Sequence, residues 1–251
     1  MAVRRTVKKQ KSINHILYGD KSLPIDIKIG EIVIQADTQN GLLQYARTCK
    51  GKKYNSCLAM VDSSVKIHPV EPFHVPKLLT HLLMIAFESP ILLEPFHSTD
   101  IFVTFPVEIA VLVTHKDTED VLDIFAVSPT KYTLYGNPHD GHICKHWKSP
   151  ISTEKPECDI SSEGIMQLSL KNETNQWVTV TKSIFNGYGM KIYFNESVIT
   201  MKATMRITGK NGAETDFEDM SSEQGLQRST ELFAVKRLSV VSRKFVMEGD
   251  L

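Results

Sequence analysis

The stretch that decides the fold is Ile199-Thr200-Met201-Lys202-Ala203-Thr204-Met205-Arg206-Ile207-Thr208. Apolar residues occupy its odd positions, and polar or charged residues occupy its even positions. Successive side chains of a β-strand point to opposite faces of the sheet, so this period of two predicts a strand with one buried face. On a helix the same apolar residues would be spread around the whole circumference.

The same alternation recurs along the chain, at residues 23–29 and 101–113 among others. The loops between such stretches carry turn residues, and Gly209-Lys210-Asn211-Gly212 contains the Asn-Gly pair that is typical of a hairpin. The better of two short helical candidates is residues 224–233. Many short strands with few helices predict an all-β fold of sandwich type.

The polar residues 148–163 contain two prolines and lack alternation, which is typical of a linker or a long loop. We therefore expect two β-sandwich-like domains with few short helices. The first covers residues 1–150, including a basic tail at residues 1–12, and the second covers residues 160–251.

The composition excludes several classes of protein. The chain has 251 residues, with 29 Lys and Arg against 29 Asp and Glu, and 41% of its residues are hydrophobic. Disordered chains have low hydrophobicity with high net charge, and dedicated nucleic-acid binders carry a basic excess. Because the charges balance, a nucleic-acid partner is not predicted. The most apolar run, residues 101–113, is also shorter than the roughly 20 residues of a transmembrane helix.

The cysteines and the first residues predict a cytoplasmic protein. The four cysteines show no CxxC spacing, and the basic N-terminal stretch is not followed by the apolar segment of a signal peptide. We therefore expect free thiols in a reducing compartment.

Several segments carry a resemblance over nearly the whole chain. They are Pro69-Val70-Glu71-Pro72, Thr104-Phe105-Pro106-Val107-Glu108-Ile109, Lys131-Tyr132-Thr133-Leu134-Tyr135-Gly136 with Pro138, Gly141, Ile143, Cys144 and Trp147, Phe185-Asn186-Gly187-Tyr188-Gly189-Met190-Lys191, and Val240-Val241-Ser242-Arg243-Lys244-Phe245-Val246-Met247. As a set they resemble an archaeal family of uncharacterised proteins that is catalogued as a domain of unknown function. The resemblance implies an archaeal source and an association of relatives with genes for small mechanosensitive channels. It implies no activity, cofactor or catalytic residue.

Residues 139–147 hold the densest group of candidate metal ligands. In an extended strand His142, Cys144 and His146 share one face, with alternate positions about 6.6 Å apart. Imidazole and thiolate suit zinc or another transition metal, and His139 is a fourth candidate ligand. The alternative is an exposed loop with unconnected histidines and no cofactor.

Two glutamates in Pro-Val-Glu contexts are candidate catalytic residues. Glu71 lies on a stiff segment between prolines, and Glu108 interrupts an apolar run. If both are buried and close together, they could act as an acid–base pair or bind a cation. The alternative is a salt bridge to Lys or Arg, or an edge position that faces water.

The leading hypothesis is a non-enzymatic binding module that meets a protein or small ligand on a sheet face or in a cleft. A metal-dependent hydrolase, with the His and Cys ligands and Glu71 or Glu108 as the base, is the alternative. A third hypothesis is a regulatory partner of a membrane channel, docked at the membrane through a basic tail. The cations of that tail are Arg4, Arg5, Lys8, Lys9 and Lys11. Each of these hypotheses is compatible with a homo-oligomer.

Overall fold

The computed structural model describes residues 17–59, 63–77, 79–115, 118–221, 223–233 and 245–248. The basic tail and its five cations lie outside the described residues, so docking through the tail stays a prediction. Residues 240–244 of the last resembling segment also lie outside them.

The described residues form nineteen strands and a single 3-10 turn at Gly187–Gly189. In chain order the strands are β1 (Gly19–Lys21), β2 (Ile25–Ile29), β3 (Ile32–Gln39), β4 (Leu42–Cys49), β5 (Lys52–Ala59), β6 (Ser63–Val70), β7 (Leu82–Leu93), β8 (Ser98–Pro106), β9 (Glu108–His115), β10 (Thr118–Phe125), β11 (Lys131–Tyr135), β12 (His142–Ser149), β13 (Glu163–Asn172), β14 (Val178–Asn186), β15 (Tyr193–Phe194), β16 (Ile199–Gly209), β17 (Gly212–Glu218), β18 (Gln227–Arg228) and β19 (Phe245–Glu248). The predicted all-β fold is confirmed. Residues 199–208 lie in β16, where the expected alternation of buried and more exposed side chains holds from Met201 onward and Thr200 is also buried. The Asn-Gly turn joins β16 to β17 antiparallel.

Two of the four sheets lie in the N-terminal part of the chain. One has the spatial order β1-β6-β9-β10, and the other is the meander β2-β3-β4-β5. Asp123 on β10 joins them, because its carboxylate accepts hydrogen bonds from Tyr45 Oη at 2.9 Å and from Arg47 Nε at 2.6 Å, both on β4. Burial, followed by the charge of Asp123, raises the pKa of Tyr45.

The other two sheets form a β-sandwich. One has the order β11-β12-β7-β14, and the other runs β18-β15-β16-β13-β8, with β17 on β16 and β19 on β17. Polar side chains cross between the two sheets. Trp147 Nε1 donates to Thr104 Oγ1 at 2.9 Å, and Tyr135 Oη donates to the carbonyl of Glu248 at 2.9 Å.

Residues 101–113 form two strands in different sheets. β8 pairs with β13 in the sandwich, whereas β9 pairs with β6 and β10 in the N-terminal sheet. Both faces of the stretch are covered, so Thr104, Ala110 and Leu112 are buried although they occupy even positions. The crossing at Val107 places Glu108 where the two pairs of sheets meet.

Residues 148–163 lead from the end of β12 into β13, with one isolated bridge from Ser152 to Phe102. Strands that precede this segment pair with strands that follow it, β7 with β14 and β8 with β13. A continuous hydrophobic cluster also contains buried residues from all four sheets. The pairings therefore cross the boundary that the sequence predicts.

The predicted helix at residues 224–233 is wrong. This segment is mostly extended, and β18 within it pairs with β15. Its side chains bond to distant strands: Ser229 Oγ donates to the carbonyl of Pro69, and Thr230 Oγ1 donates to Glu119 Oε2 at 2.8 Å. These tertiary bonds outweigh a helical propensity that Gly225 and Thr230 already lower. Among the described residues, no helix has the length and apolarity to span a bilayer.

The contact between the N-terminal sheets is testable with Asp123→Ala. The substitution leaves Arg47 and Tyr45 without their shared acceptor at a largely buried position, so we expect a loss of about 2–3 kcal/mol of unfolding free energy in urea titrations. The matched control is Asp26→Ala on β2, where the side chain is exposed, with an expected change within about 0.5 kcal/mol. Equal losses in the two variants would contradict the role of Asp123.

Candidate functional site

The loop between β6 and β7 forms the centre of the candidate site. Its described residues are 71–77 and 79–81, and it begins with Glu71 and Pro72, the second half of the Pro-Val-Glu-Pro motif, followed by Phe73 and His74. Prolines at positions 72 and 76 fix φ and disfavour helix, so the segment forms turns. Glu71 and Phe73 are buried, and the loop lies against the first residue of β9 and the middle of β12.

Glu108 and Lys145 form a buried ion pair beneath this loop. The side chain of Glu108 is 0% exposed and that of Lys145 is 6% exposed, with Lys145 Nζ 2.9 Å from Glu108 Oε1. The ammonium also donates to the carbonyl of Pro72 at 2.6 Å. The carboxylate accepts from the backbone N–H of His74 at 2.9 Å and from that of Val75 at 3.3 Å. Each buried charge is therefore compensated by an opposite charge and by hydrogen bonds.

Glu71 occupies the same loop and is also enclosed. Its Oε2 lies 3.4 Å from His74 Nε2 and accepts from the backbone N–H of Leu232 at 3.4 Å. Both glutamates thus contact His74, one through the imidazole and the other through the backbone N–H. The sequence left open whether the two glutamates approach one another, and the structure brings both to this one loop.

A column of stacked rings covers the other side of the loop. Phe73 stacks on Phe233 with ring centroids 4.9 Å apart, and Phe233 stacks on Tyr188 at 4.8 Å. Tyr188 continues the column to His81 at 5.3 Å. Gly187 makes this approach possible, because a Cβ at that position would lie 2.1 Å from the ring of Phe73. The glycine of the Asn-Gly-Tyr-Gly segment is therefore required for packing.

This arrangement leaves Glu108 little free hydrogen-bonding capacity. An ionised carboxylate offers about four lone-pair positions, and Glu108 already accepts three hydrogen bonds in a site closed to water. The geometry corresponds to the salt-bridge alternative for Glu108.

Sequence reasoning missed Lys145 as the partner of Glu108. The available signal was its position in the row Ile143, Lys145 and Trp147, where a lysine alternates with apolar residues on one face of β12. It also missed Leu232 and Phe233, because the predicted helix placed them elsewhere.

The candidate metal ligands lie on or next to β12 as expected, but they do not converge. The side chain of His142 is exposed, Cys144 is fully buried, and His146 is half-buried opposite Lys131. Burial raises the pKa of the Cys144 thiol to about 12, so without a bound metal this thiol is protonated at neutral pH. His139 lies in the preceding turn, where its backbone N–H bonds to Asn137 Oδ1. Among the described residues, no group of three or more His, Cys, Asp or Glu side chains is placed to hold a metal.

An apolar patch lies beside the buried ion pair, on the edge strand of its sheet. Tyr132 and Leu134 point to one face of β11, and Ile143 on β12 is the cross-strand partner of Leu134. We call these three residues the β11 patch; they are 37%, 45% and 48% exposed. Tyr132 is opposite Lys145, and burial together with the charge of Glu108 raises its pKa. The patch is therefore adjacent to the buried pair.

Two other edge strands, β5 and β10, carry more charge than β11. β5 begins with Lys52 and Lys53, and β10 carries Glu119 and Asp120. Charged side chains on an edge oppose pairing with another chain. β11 has a single charged residue, Lys131, and within the described part of the chain it pairs with β12 alone.

The fold and this centre define an all-β protein in which a buried Glu–Lys ion pair lies next to the β11 patch. A family model matches residues 17–248, so the chain belongs to the family described as "Protein of unknown function (DUF432)". This confirms the expected membership of a domain-of-unknown-function family, and the archaeal source stays a prediction. Searches of the curated proteins and of the solved structures each found no match.

The buried ion pair is testable by a double-mutant cycle. Glu108→Gln leaves the Lys145 ammonium buried without its counter-charge, and Lys145→Met does the converse, so each should lower the free energy of unfolding by about 3–5 kcal/mol. The double variant removes both charges and should lose clearly less than the sum of the two single losses. Additive losses in urea titrations would show that the two side chains do not interact.

The thiols should differ sharply in reactivity. Cys57 is exposed and Cys144 is buried, so iodoacetamide at neutral pH should modify Cys57 readily and Cys144 only after unfolding. Peptide mass mapping of the native protein, with the urea-unfolded protein as control, measures both sites. Modification of native Cys144 at the rate of Cys57 would contradict its burial and would reopen its use as a ligand.

Proposed function

We propose that the protein is a non-enzymatic binding module that receives an extended segment of a partner polypeptide along β11. The observation that carries this proposal is the β11 patch, an exposed apolar surface on an edge strand that lacks the charges found on β5 and β10. Edge strands of this kind bind partners by adding a strand, in which backbone hydrogen bonds supply affinity and side-chain contacts supply specificity.

The environment of β11 supports this function over an enzymatic one. Glu71 and Glu108 are engaged in holding the loop, so they act as anchors for the surface next to the patch. Lys145 is opposite Tyr132 in the strand register, and Thr80 Oγ1 donates to the carbonyl of Ile143. A surface fixed in this way loses little conformational entropy when a partner binds.

The chemistry of the patch indicates which segment it would accept. Side chains two residues apart on an added strand lie on one face, so apolar residues at positions i and i+2 would cover Tyr132, Leu134 and Ile143. The exposed Lys131 at the start of β11 favours an acidic residue at the facing end of the segment.

We infer that binding takes place in the cytoplasm. All four cysteines are free, and Cys49 and Cys57 lie on neighbouring strands without being register partners. Free thiols, one of them exposed, are compatible with a reducing compartment.

The proposal is tested with displayed random peptides selected on the full-length protein. We expect enriched peptides to show apolar residues at alternate positions and no proline in the paired stretch. A synthetic version should bind with a dissociation constant in the micromolar range, about −8 kcal/mol, and should slow hydrogen exchange at β11 amides.

Leu134→Lys and Ile143→Lys should each raise the dissociation constant for this peptide at least about tenfold, which is a loss of about 1.4 kcal/mol of binding free energy. The matched control is Val121→Lys, an exposed apolar position on the charged edge strand β10, which should leave affinity unchanged. Peptides without the alternating pattern, or binding that resists both β11 substitutions, would reject the proposal.

A further inference from the structure

The three most exposed large apolar side chains in the described part of the chain lie at one end of the sandwich. They are Phe96, Trp177 and Leu92, with exposed fractions of 72%, 61% and 60%. We call them the apolar tip. Leu92 is near the end of β7, Phe96 is in the β7–β8 turn, and Trp177 immediately precedes β14. β7 and β14 are paired, with Leu92 opposite Thr179, so the three side chains come from neighbouring segments.

Buried Asn172 holds the two turns together. Its Nδ2 donates to the carbonyls of Glu94 at 2.9 Å and Gln176 at 2.8 Å, and its Oδ1 accepts from Thr174. The backbone N–H of Phe96 donates to the carbonyl of Thr174 at 3.1 Å. The tip is therefore presented by a defined hydrogen-bonded network.

Phe96 adopts a backbone conformation that is unfavourable for its residue type. Its φ is +56°, in the left-handed region that a bulky residue rarely occupies. Its side chain nevertheless has little contact with the protein, so packing within the chain does not account for a phenylalanine here. Strained backbone that displays an exposed apolar side chain is typical of a functional surface.

A cleft of about 460 Å³ beside Trp177 supplies positive charge. The described residues that line it include Lys182 and Lys210 and no carboxylate. Two glutamates lie at the same end of the sandwich. Glu173 Oε1 is 3.2 Å from Arg206 Nε, and Glu94 Oε1 is 3.3 Å from His97 Nδ1, a contact that is an ion pair only when the imidazole is protonated. The positive charge next to the apolar tip is therefore concentrated in the cleft, where an anion would meet Lys182 and Lys210.

We propose that the apolar tip docks on an anionic phospholipid bilayer, with Leu92, Phe96 and Trp177 entering the interfacial region and Lys182 and Lys210 facing lipid phosphates. Aromatic side chains, tryptophan above all, favour the interface between water and acyl chains. Lysines close to the surface add attraction to anionic headgroups. This site is separate from the β11 patch and does not depend on the proposed peptide binding.

Charge and shape favour a bilayer over a second protein at this end. The tip consists of three exposed side chains, one in the β7–β8 turn and two at the adjoining ends of β7 and β14, with two lysines lining the neighbouring cleft. A stable protein–protein interface is usually a broader and closely complementary surface. A second copy of this chain would bring Lys182 and Lys210 towards like charges in a symmetric contact.

The test uses the full-length protein with vesicles of phosphatidylcholine containing phosphatidylglycerol and, in parallel, of phosphatidylcholine alone. The chain has two tryptophans, and Trp147 is bonded to Thr104 within the sandwich. We expect the anionic vesicles to shift Trp177 emission to the blue and brominated lipid to quench it. Partitioning should be at least about fivefold weaker without phosphatidylglycerol.

The variant Leu92→Thr/Phe96→Asn should reduce partitioning at least tenfold, and Lys182→Gln/Lys210→Gln about tenfold or more at low salt. Asn tolerates the left-handed conformation at position 96, and circular dichroism checks that each variant is folded. The control Val121→Thr/Met220→Gln removes exposed apolar residues elsewhere and should leave partitioning unchanged. Three results would overturn the proposal. The first is that the protein does not partition onto anionic vesicles, and the second is that it partitions through the basic tail while Trp177 stays unquenched. The third is that the protein binds no vesicles but self-associates with rising concentration, and that the tip variant abolishes this self-association.

Discussion

The carboxylate of Glu108 is fully buried at the point where the chain leaves one sheet and enters another. A carboxylate without water requires compensating partners, since an uncompensated charge in the interior is strongly unfavourable. The ammonium of Lys145 and two backbone N–H groups of the β6–β7 loop meet this requirement. Three segments distant in sequence are thereby fixed together.

The surfaces with proposed functions differ in how they are supported. The β11 patch lies next to the buried pair, where Lys145 and Tyr132 are register partners. The apolar tip depends instead on Asn172, a neutral hub that bonds the two turns at the far end of the sandwich. In both places buried polar groups are hydrogen-bonded and the neighbouring exposed side chains are apolar.

The strands and the all-β class could be predicted because one-sided burial imposes a period of two on sequences such as residues 199–208. The same rule is less informative at residues 101–113, since a stretch covered on both faces is apolar at nearly every position. The helix expected at residues 224–233 fails because Ser229, Thr230 and Glu231 bond to segments that are remote in sequence.

The candidate site was only partly predictable. Two Pro-Val-Glu contexts and an apolar run indicated that Glu71 and Glu108 are unusual positions. Nothing in the spacing identified Lys145 as the counter-charge, because the pairing of β12 with β7 is set by tertiary structure. The histidines of β12 share a strand as expected, yet the burial of Cys144 separates the thiol from them. The apolar tip likewise could not be predicted from the sequence, because Leu92, Phe96 and Trp177 come together only through the pairing of β7 with β14.

The central claim is that the buried Glu108–Lys145 pair locks the β6–β7 loop in place. Native-state hydrogen exchange at the amides of His74 and Val75 tests it most directly, because both amides bond to Glu108. The account predicts slow exchange of both amides in the wild-type protein and a joint, large loss of protection in Glu108→Gln and Lys145→Met, while β16 amides stay protected. Fast exchange of His74 and Val75 in the wild-type protein, or protection that is unchanged in a folded Lys145→Met variant, would contradict it.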